Sequence, residues 1–314
     1  MDKRISDVVA RQDWLNPLEE GLQKAVQKTY GSMGERGHKI ENALHGTWFG
    51  QPLHVALTDV PIGSWIAAMV FDVLETVSGR DEFGTAADAC IGVGLVGAAG
   101  AALTGLTDWQ AVDPPARRVG LVHALLNVSA VGLFTTAFLR RRDSRGARKA
   151  LAAVGYGVAL TAAHLGGDLV YEHRIGVDHS QSEQLPDDFV AVIAESDVPD
   201  DKPVRAEHNG KSILLVRRLN RIWAINETCS HLGGPLSEGK LEGNTIECPW
   251  HGSVFSLEDG SVLNGPAVHP EACLETRVRN GQIEVRRRRG REPRPPVEIT
   301  GAGPINIART GTEG

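Results

Sequence analysis

Hydrophobic and polar positions divide the chain into a polar start, an apolar middle and a polar second half. The middle contains four apolar segments separated by short polar stretches, at residues 55–77, 86–106, 119–139 and 151–171. Each segment holds about 20 residues, which is enough for an α-helix to cross a bilayer. The pattern therefore predicts a four-helix membrane domain within residues 46–178.

A soluble four-helix bundle is the alternative interpretation of these segments. Four acidic residues inside them favour it: Asp59, Asp72, Glu75 and Asp168. A soluble bundle helix should also show a broad charged face. The third segment has no charged residue if His123 is neutral, so we expect membrane insertion.

Residues 1–45 are polar and charged, but Leu18, Leu22, Val26 and Tyr30 recur at helical spacing. They predict one amphipathic helix, which either packs on its own protein or lies in a membrane interface. The first 30 residues contain no uninterrupted apolar core, so no signal peptide is expected.

The second half of the chain has the short alternating runs of β-strands, separated by turn residues. They lie at residues 189–194, 212–217, 221–226, 245–247, 253–256, 274–279 and 282–286. We predict a small all-β domain over residues 189–287, joined to the apolar region by a linker at 179–188. Residues 288–314 are rich in Arg, Pro and Gly, and their composition predicts a disordered tail.

Two Cys-His pairs lie inside the predicted β domain: Cys229-x-His231 and Cys248-x-x-His251. Two thiolates and two imidazoles can hold one zinc ion or one [2Fe–2S] cluster with two ligands of each type. Zinc sites usually repeat one residue type within a pair, whereas each pair here mixes the two. The mixed order favours the cluster.

These motifs, with Gly265-Pro266-Ala267 downstream, resemble the ligand loops and proline loop of the Rieske family. The resemblance implies an all-β fold, one-electron transfer, and cluster ligands Cys229, His231, Cys248 and His251. It places these residues around the ligands: Gly233, Gly234, Trp250, Ser253, Phe255 and Pro266.

Some positions depart from the pattern of the high-potential Rieske proteins. Those proteins carry an extra disulfide-forming Cys in each loop, where this chain has Gly234 and Trp250, and a Tyr where it has Phe255. The resemblance therefore implies the ferredoxin-type branch, with a lower potential. Since 63 residues follow His251, we expect no catalytic oxygenase domain after the cluster motif.

The apolar region resembles the DUF2231 family of predicted membrane proteins, which implies no particular activity. The resemblance rests on runs of sequence at 52–54, 61–63, 104–109, 123–127 and 166–171.

Several polar residues fall at one end of the four predicted spans: His54, Asp108, His123, His164 and Asp168. Polar groups inside a membrane are costly and suggest function. Three interpretations remain open: hydrogen bonds between helices, a b-type haem held by two of the histidines, and a quinone or proton site.

The net charge and the cysteine content bear on two further classes of protein, those that bind nucleic acid and those stabilised by disulfides. The net charge of −6 does not favour nucleic-acid binding. Of four cysteines, two are predicted ligands, and Cys90 and Cys273 fall in different predicted domains, so a disulfide framework is not expected.

The sequence thus predicts a multidomain protein in the cell membrane that passes single electrons between a membrane carrier, quinone or haem, and a partner oxidoreductase. It is expected to be a component of an oxidoreductase system rather than a stand-alone catalyst. Two alternatives remain: a membrane-tethered ferredoxin serving a soluble oxygenase or reductase, and a non-redox structural subunit.

The basic residues of the loop at 140–149 favour an external β domain by the positive-inside rule. The basic N-terminal segment favours a cytoplasmic one, which we expect.

Overall fold

The computed structural model describes residues 5–180 and 185–288. They fall into two compact units. The first ends at Asp178 and also includes the loop Asn264–His269, and the second begins at His179. The first unit is helical and the second is built of β-strands. The predicted fold class, a four-helix bundle followed by a small all-β domain, is therefore confirmed.

The helical unit contains three amphipathic or polar helices followed by four apolar ones. In chain order these are α1 (Ile5–Ala10), α2 (Asn16–Ser32), α3 (Glu35–His45), α4 (Leu53–Ser78), α5 (Asp81–Trp109), α6 (Ala116–Leu139) and α7 (Arg145–Tyr171). The last four are long and apolar enough to cross a membrane. Their outer surface is apolar as well, since Val77, Val96 and Val128 are 82%, 77% and 67% exposed. Such a surface is suited to lipid rather than to water.

A network of charges lies between α4, α5 and α7. The guanidinium of Arg148, which is 1% exposed, forms ion pairs with Asp72, Glu75 and Asp88. Lys149 Nζ lies 2.9 Å from Glu75 Oε2. Burial of a charge is tolerated when it is paired. Asp72 and Glu75, which favoured a soluble bundle when read in the sequence, are thus neutralised inside the unit.

The N-terminal region contains α1, α2 and α3 where the sequence predicted one helix. The predicted apolar stripe on α2 is divided: Val26 is buried, whereas Leu18 and Leu22 are 51% and 37% exposed. Polar contacts hold α2 to the bundle, including Gln23 Nε2 donating to the Gln110 carbonyl at 2.7 Å and a 2.7 Å hydrogen bond between the Tyr30 and Thr107 hydroxyls. The helix therefore packs on its own protein, and its contacts are more polar than the stripe indicated.

The β unit contains two antiparallel sheets. Its strands are β1 (Val190–Ala194), β2 (Pro203–His208), β3 (Lys211–Arg218), β4 (Arg221–Asn226), β5 (Lys240–Glu242), β6 (Thr245–Glu247), β7 (Val254–Ser256), β8 (Val262–Asn264), β9 (Cys273–Arg279) and β10 (Gln282–Arg287). The six-stranded sheet has the order β1-β10-β9-β4-β3-β2, and the four-stranded sheet has the order β5-β6-β7-β8. All seven predicted runs form strands.

Three strands were not predicted from the sequence. β2 lies at a sheet edge and reads Pro-Val-Arg-Ala-Glu-His, with few apolar positions, and β5 and β8 have three residues each. These runs are too short or have too few apolar residues for alternation to identify them as strands. They become strands because they pair with neighbouring strands.

The buried ion-pair network yields a test of stability. Replacing Arg148 with Ala leaves Asp72, Glu75 and Asp88 without their shared partner, at a cost of about 3–5 kcal/mol. We expect the thermal unfolding midpoint of the full chain in detergent, followed by helical circular dichroism, to fall markedly. Arg142→Ala, which removes an exposed arginine near the same end of the bundle, is the matched control. Equal midpoints for the two variants would show that the network is not stabilising.

Candidate metal centre

Two loops of the β unit carry the predicted ligands, and each folds back onto its own cysteine. In the first loop, which follows β4, the Cys229 N–H donates to the Gly234 carbonyl at 2.9 Å and the Gly233 N–H donates to the Cys229 carbonyl at 2.8 Å. In the second, between β6 and β7, the Cys248 N–H donates to the Ser253 carbonyl at 2.8 Å. Gly233 adopts a φ of 82°, a left-handed conformation that favours glycine. The turns after each Cys-His pair are therefore structural requirements of the loops.

The four donors form two pairs according to their chemistry. The Cys229 and Cys248 thiols are in hydrogen-bonding contact and almost fully buried. The His231 and His251 rings lie 5.0 Å apart between centroids, and both histidines are half-buried. Among the described residues no group of three or more His, Cys, Asp or Glu side chains is placed to hold a single metal ion. Two thiols on one side and two imidazoles on the other match a cluster whose irons each take one ligand type.

The contact between the two thiols affects their acidity. Hydrogen bonding to Cys229 lowers the pKa of Cys248 to about 7. The same contact, together with burial, raises the pKa of Cys229 above its ordinary value. Metal ligands of this kind bind in the thiolate form, so both thiols would lose their protons when a cluster binds.

Of the residues expected around the ligands, Gly234 lies close to Cys248, and Ser253 and Phe255 belong to the second ligand loop and the strand that follows it. Their roles around a cluster stay predictions. A side chain added at Gly234 would come within 2.8 Å of Cys248 Sγ and 3.1 Å of the Trp250 ring, so the loops require glycine there. Ser253 and Phe255 are fully buried, and Phe255 pairs with Ile246 in the β6–β7 ladder. Pro266 follows Gly265 through a cis peptide bond in the loop after β8.

Glu271 also supports the first ligand loop, and no sequence motif singled it out. This carboxylate is 3% exposed; it accepts the Ser230 N–H at 2.6 Å and the Asn226 side-chain amide at 3.1 Å. Its charge also contributes to the raised pKa of Cys229. Because Glu271 is about forty residues away along the chain, no local pattern links it to the loop.

The structure separates the five polar residues predicted at one end of the spans. The His54 and His123 rings lie next to each other in a T-shaped arrangement, with centroids 6.5 Å apart. The His164 side chain is 59% exposed, with its Nε2 4.0 Å from Asp168 Oδ2. Asp108 instead forms a 2.6 Å hydrogen bond with Nδ1 of His45, a buried residue that the sequence reading missed. His54 and His123 are therefore brought together, and the other three are not part of that pair.

Comparisons with known proteins agree with this division of the chain. A family model described as "Predicted membrane protein (DUF2231)" matches residues 50–179, and one described as "Rieske [2Fe-2S] domain" matches residues 188–280. The chain is similar to "Ferredoxin CarAc" of Metapseudomonas resinovorans, with 34% identity over 98 residues, which are 31% of this chain and 92% of the relative.

Two further similarities concern ferredoxin components. The "3-phenylpropionate/cinnamic acid dioxygenase ferredoxin subunit" of Escherichia coli K12 is 36% identical over 89 residues, 28% of this chain and 83% of that protein. A chain in the solved "Complex of reduced oxygenase and oxidized ferredoxin in carbazole 1,9a-dioxygenase" is 31% identical, with 31% of this chain and 92% of that chain covered and a TM-score of 0.30.

The buried charge of Glu271 predicts an effect on the [2Fe–2S] potential. Glu271→Gln keeps an oxygen that can accept the Ser230 N–H but removes a negative charge that opposes reduction. We expect the midpoint potential to rise by on the order of 50–100 mV, equivalent to about 1–2 kcal/mol for one electron. Potentiometric titration followed by EPR measures it. Glu258→Gln, an exposed acid in the same unit, should leave the potential unchanged, and equal shifts in both variants would contradict a specific role for Glu271.

The apolar ring of Phe255 predicts a second shift. Phe255→Tyr adds a hydroxyl, and a hydrogen bond to a ligand sulfur favours the more negative reduced state. A difference of ~1 kcal/mol between oxidation states corresponds to roughly 40 mV for one electron, so we expect a rise of that order. An unchanged or lower potential with intact cluster EPR would show that the hydroxyl does not reach a sulfur.

Proposed function

The chain belongs to the Rieske [2Fe–2S] family and carries a DUF2231 domain, and from this premise we propose that it is a membrane-anchored electron-transfer protein. It passes single electrons between a membrane carrier, quinone or haem, and a partner oxidoreductase. It acts as a component of an oxidoreductase system.

The arrangement of the four donors is the observation that carries the proposal. When bound, the cluster supplies a centre that takes up and releases one electron. The cysteines are buried at 1% and 3% exposure, whereas His231 and His251 are half-buried. The imidazole side is therefore the side nearer to solvent, where a partner protein can approach. Buried Cys229 and Cys248 hold the opposite side inside the β unit.

The surroundings of the thiols favour a low potential. Phe255 presents no hydroxyl, and Glu271 keeps a carboxylate near Cys229. A nearby negative charge disfavours the reduced state, and a Phe in place of a Tyr removes one hydroxyl that could donate to sulfur. These residues therefore suit a centre that receives electrons from a strong donor and passes them on.

The four apolar helices support the membrane part of the proposal. Each is long enough to span a bilayer, and their outward apolar side chains match lipid. We place the protein in the cell membrane as a multi-pass protein with the β unit on the cytoplasmic side. The polar pair formed by His54 and His123 supports a role for the helices in redox chemistry beyond anchoring.

A tethered ferredoxin is the second candidate, and the names of the relatives favour it. The relatives from Metapseudomonas resinovorans and Escherichia coli are named as ferredoxins, the latter as a dioxygenase subunit. In this alternative, a soluble reductase supplies the electrons, a soluble oxygenase receives them, and the helices serve as an anchor.

One experiment tests the proposal and separates the two candidates. The full chain is purified anaerobically into lipid nanodiscs, and we expect two irons and two acid-labile sulfides per chain. Zinc without labile sulfide would overturn the proposal. Reduction of the cluster is then followed by EPR after addition of a long-chain quinol, or of NADH with a ferredoxin reductase.

The donor that works identifies the function. Reduction by quinol supports transfer from a membrane carrier, and reduction by the soluble reductase alone supports the tethered ferredoxin. A cluster that neither donor nor dithionite reduces would contradict both and favour a structural subunit. Cys248→Ser, which removes one ligand, is the control for signals that do not come from the cluster.

A further inference from the structure

The four apolar helices form two equivalent hairpins, α4–α5 and α6–α7. Eleven residues after His54 on α4 comes Trp65, and eleven residues after His123 on α6 comes Phe134. The Trp65 and Phe134 rings stack with centroids 4.1 Å apart, just as His54 and His123 meet at 6.5 Å. Each residue thus meets its own counterpart, which is the arrangement of two repeats related by a two-fold axis along the bundle.

The second helix of each hairpin shows the same equivalence. Gly94 and Gly105 are eleven residues apart on α5, and Gly155 and Gly166 are eleven apart on α7. A side chain added at Gly105 would lie 2.7 Å from the His54 ring, and one at Gly166 would lie 3.0 Å from the His123 ring. Each imidazole therefore packs directly against a glycine of its own hairpin, and the two sites have the same construction.

Both imidazoles are held in the same protonation pattern. Nδ1 of His54 lies 2.8 Å from the Ala101 carbonyl, and Nδ1 of His123 lies 2.8 Å from the Ala162 carbonyl. A carbonyl accepts hydrogen bonds but cannot donate them, so Nδ1 carries the proton in both rings. The lone pair is then on Nε2. A hydrogen bond from the other ring nitrogen to a carbonyl is the support that orients metal-ligating histidines.

We propose that His54 and His123 are the two axial ligands of a haem bound on the two-fold axis of the helical unit. This inference rests on the proposed function, because it identifies the membrane carrier that exchanges electrons with the cluster. Haem iron and the cluster both exchange one electron at a time, so the two centres are matched in their chemistry.

The number of donors favours haem over a bare metal ion. Within the described residues, no third His, Cys, Asp or Glu joins His54 and His123 to form a site for a free ion. Zinc would lack ligands there, since it takes four. A porphyrin supplies four nitrogens and needs axial ligands alone from the protein.

The separation of the two rings also suits one iron between them. With metal–nitrogen bonds of about 2.0–2.1 Å, two imidazoles on opposite sides of one metal have centroids roughly 6–6.5 Å apart. The rings here are 6.5 Å apart, with planes at 86°. Because an axial imidazole can rotate about its bond to the metal, perpendicular rings are compatible with such a pair.

Nε2 of His123 accepts a hydrogen bond from Asn127, one turn further along α6. Its amide Nδ2 lies 3.1 Å from His123 Nε2 and 3.0 Å from the His123 carbonyl. The amide keeps the bond to the carbonyl when iron replaces the bond to Nε2, so haem binding leaves it a partner. It also confirms that Nε2 of His123 is an acceptor.

The test uses the full chain in nanodiscs, titrated with hemin and then separated from unbound hemin. We expect one haem per chain, with the optical and EPR spectra of a low-spin, six-coordinate iron. His54→Ala and His123→Ala should each weaken hemin binding at least tenfold and abolish the low-spin signal. His164→Ala is the matched control, because His164 lies at the same end of the bundle but is exposed, and it should bind like the wild type.

Two further measurements exclude loss of folding as the cause. The cluster EPR signal should persist in every variant, and His123→Met, which restores an axial donor, should recover a six-coordinate haem with a shifted spectrum. Failure of the wild type to bind hemin, or equal loss in His164→Ala, would overturn the proposal. In that case cluster reduction by quinol or reductase would still decide the proposed function, so the two can fail separately.

Discussion

A polar group that is removed from water must be paired inside the protein, and this constraint governs both units of the chain. In the β unit, buried Glu271 accepts the Ser230 N–H and so fixes the loop that carries Cys229 and His231. In the helical unit, backbone carbonyls pair with the imidazoles, and carboxylates pair with Arg148. The residues that carry chemistry are thus positioned by hydrogen bonds, whereas apolar packing provides the surrounding framework.

The features that could be predicted from the sequence are those with a local signal. The Cys229–His231 and Cys248–His251 spacings define the ligand loops without further information, because each loop is a short turn that folds on its own cysteine. The four spans are also local, since length and apolar content are sufficient to recognise them. The four long apolar helices and the β domain that carries the loops are therefore confirmed, whereas the ligand set and the crossing of a membrane stay predictions.

The features that could not be predicted depend on contacts between distant segments. Glu271 meets Ser230 across about forty residues, and His45 meets Asp108 across more than sixty. Position along the chain predicts that His54, His123 and His164 lie at the same end of the bundle. It does not predict which of them point into the bundle. Which histidines meet depends on helix rotation, and rotation is set by packing, here by glycines opposite the two inward rings.

The equivalence of the two hairpins is broken at the end of the bundle away from the histidines, and charge explains why. Counting from the paired histidines, Asp72 on α4 corresponds to Arg141, just after the end of α6. Counting from the paired glycines, Asp88 on α5 corresponds to Lys149 on α7. Perfect two-fold symmetry would place like charges at both positions, and unscreened like charges repel strongly in an apolar medium. Opposite signs at equivalent positions avoid that repulsion, and both acids instead form buried ion pairs with Arg148, the residue next to Lys149 in the chain. A single chain with two hairpins can differ between its halves in this way, whereas a dimer of identical hairpins cannot. Symmetry is therefore kept at the histidine end, where the paired residues are uncharged or alike, and lost where equal charges would be destabilising.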